Sequence, residues 1–138
     1  MDRKVVRENA FKILFQVEAR PAEAPDEIFE VFCEESGITK SRDLRLLREK
    51  VDGAVNQLAV IDEVIERYSN GWKKNRIGKA ELAILRIAIY EIMWEGIPGA
   101  VAANEAVELA KVYAQDKAPA FINGILAQVI ASKTEDNQ

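Results

Sequence analysis

Lys4, Arg7, Phe11 and Phe15 recur at intervals of three and four residues, so on a helix they fall along one side. Cations and aromatic rings mixed on one surface hold single-stranded nucleic acid, the charges meeting phosphates while the rings stack on bases. The same spacing also serves a core, with both phenylalanines widening an apolar face, and periodicity alone leaves the two readings open. A second basic and aromatic group, Trp72-Lys73-Lys74-Asn75-Arg76, follows the turn Ser69-Asn70-Gly71. It is either a further nucleic-acid contact or a solvated loop whose Trp72 packs on neighbouring helices. Tyr113 and Phe121 flank the polar connection Gln115-Asp116-Lys117 and present their rings either to a surface or to the core.

Bond-making chemistry has little to work with. The chain contains no histidine and a single cysteine, Cys33, which removes the most frequent general base and the common zinc ligands. Glycine-rich phosphate loops of the G-x-x-x-x-G-K or G-x-G-x-x-G kind are absent, as is the G-x-S-x-G elbow. The expectation is a protein that acts by binding, not an enzyme, with no cofactor and no metal. Cys33 lies in the apolar run Ile28-Phe29-Glu30-Val31-Phe32 and reads as core filler.

The net charge of −4 argues against coating nucleic acid through bulk electrostatics. Its distribution is more informative. Glu18 to Glu35 holds seven acids and one base, Lys40 to Lys50 five bases and two acids, and Trp72 to Lys79 four bases and no acid. Local basic surfaces are therefore available on an acidic chain.

The elements that must position these residues are helices. No stretch alternates with period two, whereas apolar residues recur at helical spacing throughout. Asp2 is placed to cap a first helix that ends near Arg20, before Pro21, with Val6, Ala10, Ile13, Leu14 and Val17 as its buried stripe. A short helix from about Asp26 to Ser36 stops at Gly37. From Ser41 to about Tyr68 the periodicity runs on, so one kinked helix and two helices fit equally well. The helix after Gly78 is apolar on nearly every side, which belongs in the middle of a bundle. Arg86 interrupts it and requires a buried carboxylate, for which Glu105 and Glu108 of the following helix are the candidates. Gly96 and Pro98 separate it from a helix over about Ala100 to Ala114, and Pro119 opens a last helix. With 138 residues, 49% apolar and 30% charged, the expectation is one folded domain over 1–138, cytoplasmic, without a membrane segment, and with 133–138 as a disordered tail.

Three separated segments carry a family resemblance. Lys79-Ala80-Glu81-Leu82-Ala83-Ile84-Leu85-Arg86-Ile87-Ala88-Ile89-Tyr90-Glu91, then Asn104-Glu105-Ala106-Val107-Glu108-Leu109-Ala110-Lys111, then Phe121-Ile122-Asn123-Gly124-Ile125-Leu126, resemble the NusB family in order and spacing. Arg7-Glu8-Asn9-Ala10-Phe11-Lys12-Ile13-Leu14-Phe15 resembles its opening, R-E-x-A-x-x-x-L-Y/F. The resemblance implies an all-α bundle of about seven helices in two small subdomains. It also implies transcription antitermination, in which the protein binds single-stranded boxA RNA of ribosomal RNA operons with NusE, a small-subunit ribosomal protein, and joins other Nus factors. On this footing Arg3, Lys4 and Arg7 would meet phosphates, Phe15 would stack, and Tyr113, Lys117 and Phe121 would share the RNA-facing region. Glu81 would lie at the NusE contact, and Phe11 would stay in the core. The alternative is a protein-interaction module or homodimer without RNA binding of its own.

Overall fold

The computed structural model describes residues 1–136. Among them are seven α-helices, one short 3-10 turn and no strand, in two compact units, the first Met1–Asn56 and the second beginning at Gln57.

The first unit holds α1 (Arg3–Ala19), α2 (Pro25–Glu35) and α3 (Ser41–Asn56), packed against one another. Asp2 caps α1 as expected, its Oδ1 accepting the Val5 N–H at 2.9 Å. Pro25 and two acids open α2, where the missing N–H costs nothing and negative charge suits the helix dipole. Gly37 closes it at φ +69°, the Ile38 N–H reaching the Cys33 carbonyl at 2.9 Å and the Gly37 N–H that of Glu34 at 3.3 Å. These paired bonds satisfy carbonyls the helix end would leave bare, and the left-handed residue between them is why glycine stands there. The core joins Ala10, Ile13 and Leu14 of α1 to Ile28, Phe29 and Cys33 of α2 and to Leu47, Val51 and Ala54 of α3.

Cys33 is buried, and burial pushes its thiol up from the usual value against a smaller opposing effect of the Arg48 charge. Native protein should therefore resist alkylation at pH 8 and react once unfolded in urea, read by mass shift; fast native labelling would place the thiol at the surface. The thiol keeps its proton to higher pH when folded. Its contribution to stability is accordingly present below the unfolded value and lost as pH rises through the folded one.

The second unit contains α4 (Leu58–Tyr68), the 3-10 turn Lys74–Arg76, α5 (Lys79–Met93), α6 (Gly99–Tyr113) and α7 (Ala118–Asp136). The long periodic segment thus forms two helices, α3 and α4, interrupted at Gln57. α5 lies against α4, α6 and α7, and every residue from Leu82 to Ile89 is buried, which explains its lack of a polar face. α6 and α7 approach closely at Gly99, where a Cβ would stand 2.6 Å from Cγ1 of Ile130. The C-terminal turn of α5 is capped from α7 by Lys133, whose Nζ donates to the Ile92 carbonyl at 2.6 Å. Residues Lys133–Asp136 are helical, where a disordered tail was expected, because α7 continues past that cap. The other two residues of that expected tail, 137 and 138, lie outside the described residues.

Arg86 is buried, and a carboxylate that grips it belongs to α4. Its Nε donates to Asp62 Oδ1 at 2.9 Å and its Nη2 to Oδ2 at 2.8 Å, a two-pronged pair. Glu108, one of the expected partners, faces solvent with Lys111 at 3.2 Å. The reason is positional: Asp62 shares the buried face of α4 with Ile61 and Ile65, which packs on α5.

Candidate nucleic-acid interface

In the first unit the candidate residues all lie on α1. Arg7, Phe11 and Phe15 form an i, i+4 row, and each such step advances about 40° around a helix of 3.6 residues per turn. The row therefore walks off the buried stripe. Arg7 and Phe11 are 4% and 3% exposed, while Phe15 is 37% exposed. The ambiguity over the two phenylalanines is resolved by this drift: Phe11 belongs to the core and Phe15 is partly open to solvent.

Arg3 and Lys4, in the first turn, are exposed. Arg7 is not, which departs from its expected place among solvent-facing cations; it lies one turn further along, where the helix side has already turned inward. Glu8 and Lys12 pair at 3.6 Å on the neighbouring side of the helix. The first unit thus offers two exposed cations and one exposed ring on α1, and Lys4 and Phe15 are separated by about 16 Å along the axis at 1.5 Å per residue.

In the second unit the candidates gather where α6 ends and α7 begins. Tyr113 is the last residue of α6 and is exposed; Lys117 stands immediately before α7 and is exposed; Phe121 is one turn into α7 and half-buried. The Phe121 N–H donates to the Lys117 carbonyl at 3.3 Å, so the two follow each other along the same edge. Phe121 also meets Trp72, with ring centroids 6.3 Å apart and planes tilted by 53°. That contact was not foreseeable, since nearly fifty residues separate the two rings and neither shows a periodic signal.

Glu81 lies in the first turn of α5, half-buried, its carboxylate folded back over Gly78 so that a Cβ there would strike Oε2. An acid at this place suits the positive end of the helix dipole. Among the described residues there is no cluster of three or more acids or cysteines able to hold a metal ion, and no helix long and apolar enough to cross a membrane.

Fold and surface define an all-helical protein of two units that carries exposed rings and cations on helix ends. The NusB family model matches residues 4–131. Transcription antitermination protein NusB of Ruminiclostridium cellulolyticum is 43% identical over 130 residues, covering 94% of this chain and 88% of its own. That of Agathobacter rectalis is 42% identical, covering 93% and 98%. Among solved structures, T. maritima NusB superimposes with a TM-score of 0.88 at 32% identity over 100% of this chain and 99% of its own. A chain from a crystal structure of antitermination factors NusB and NusE in complex with dsRNA gives 0.84 at 30% identity, over 94% and 96%. The chain belongs to the NusB family.

Proposed function

We propose that this chain is a transcription antitermination factor that binds the boxA element of nascent ribosomal RNA operon transcripts together with NusE, in the cytoplasm, and joins the transcription complex with other Nus factors. It works by binding and not as an enzyme. The observation that carries the reading is its likeness, over nearly the full length of both chains, to a chain from a crystal structure of antitermination factors NusB and NusE in complex with dsRNA.

Arg3 and Lys4 meet phosphates, and Phe15 stacks on a base. Tyr113, Lys117 and Phe121 contact RNA on the second unit. Glu81 contacts NusE. Arg7 backs α1 from its buried side, leaving the phosphate contacts there to the two cations of the first turn. Only three of these contact residues, Arg3, Lys4 and Lys117, are exposed cations, on a chain of net charge −4, so binding alone is weak, and a partner that adds its own phosphate contacts raises affinity by linking two modest interfaces.

Sedimentation velocity of the full chain with NusE and a labelled boxA RNA tests the assembly. One ternary species containing one copy of each component is the expected result. A homodimer that persists when both are added would overturn it in favour of a protein-interaction module.

A further inference from the structure

The loop between α4 and α5 is built rather than slack. Asn70 and Gly71 take left-handed conformations, φ +55° and +86°, and the buried Ser69 hydroxyl donates to the Trp72 carbonyl at 2.6 Å. Lys74, at the start of the 3-10 turn, reaches Asp62 Oδ2 at 3.2 Å, the same carboxylate that Arg86 holds from inside. One end of the loop is thereby tied to the α4–α5 pair through a buried ion pair.

What the loop displays to solvent is costly to leave bare. Trp72 is 53% exposed, with part of its surface turned to Phe121 and the rest open. Lys73 and Arg76 are exposed; Lys73 has only a distant contact with Glu66 at 3.8 Å, which screening reduces to little. The segment from Trp72 to Lys79 contains no acid. A half-exposed indole flanked in sequence by cations, and paired with a ring proposed above for the RNA surface, matches how single strands are held without regard to sequence.

We propose that the Trp72–Arg76 loop is a sequence-independent contact for single-stranded RNA flanking boxA, with Trp72 stacking on a base and Lys73 and Arg76 meeting phosphates. This rests on the RNA-binding reading above. Lys74 is the positioning residue, committed to Asp62. The loop lengthens the bound strand without choosing its bases.

The test uses the full chain carrying Trp94→Phe, which leaves Trp72 as the sole tryptophan, with NusE and boxA RNAs extended by uridines at either end. Binding should quench Trp72 emission. Lys73→Ala with Arg76→Ala should weaken binding of at least one extended RNA about tenfold and lower the salt slope by about 1.4, at roughly 0.7 per phosphate. The ratio of boxA to scrambled RNA should not change, nor should the melting temperature. Unquenched emission with unchanged affinity and slope would overturn the loop's role, as would a requirement for these residues in NusE binding without RNA. Failure of the function reading looks different: the unsubstituted chain would not prefer boxA at all.

Discussion

Asp62→Ala should lower the melting temperature by roughly 10–20 °C, the loss expected when a buried pair costing about 3–5 kcal/mol to break is broken in a chain of this length. The substitution leaves the Arg86 guanidinium, 3% exposed, without both acceptors that Asp62 provides. It also releases Lys74. A guanidinium held out of water that loses this two-pronged carboxylate contact is the expensive state, not the absence of the pair as such. Replacing both residues together, Asp62→Leu with Arg86→Met, should therefore recover much of the lost stability. A melting temperature within about 2 °C of the parent for Asp62→Ala would show that the pair does not bear on the fold, and a double variant as unstable as the single one would assign the loss to packing.

Phe15→Ala should weaken boxA binding by about 5- to 150-fold, which corresponds to the 1–3 kcal/mol of a lost base stack, and should leave the melting temperature nearly unchanged. Phe11→Ala, one turn earlier, should behave in the opposite sense. Its ring is buried, so its loss costs about 3–5 kcal/mol of stability through the cavity it leaves. The pair separates a binding ring from a core ring on a single helix. Equal loss of stability in both variants would return Phe15 to the core. Replacing Arg3 and Lys4 by alanine should reduce the salt slope of RNA binding by about 0.7 each while leaving the preference for boxA intact.

The helix ends were legible because their signals are local. Asp2, Pro21, Gly37 and Gly96 act within a turn of where they stand, and the observed boundaries follow them. The interruption at Gln57 was not, since Val55, Leu58 and Ile61 continue the helical period across it and no glycine or proline marks the place. Burial of Arg86 followed from its apolar neighbours, whereas its pairing with Asp62 did not: Asp62 stands beside Glu63 and looks like half of a solvated pair until the packing of α4 on α5 is known. In the candidate interface, the drift of the i, i+4 row separated Phe15 from Phe11 but also carried Arg7 inward, because a cation at the margin of the stripe is placed by what packs against it. The contact of Trp72 with Phe121 belongs to tertiary structure alone.

Fluorescence anisotropy of labelled boxA RNA and a scrambled RNA, with and without NusE and at two fixed salt concentrations, tests the central claim most directly. Preferential binding of boxA, weak with the chain alone and markedly tighter with NusE, is the predicted result. Equal affinity for the two RNAs under every condition would contradict it, leaving a NusB-family fold whose work is protein association.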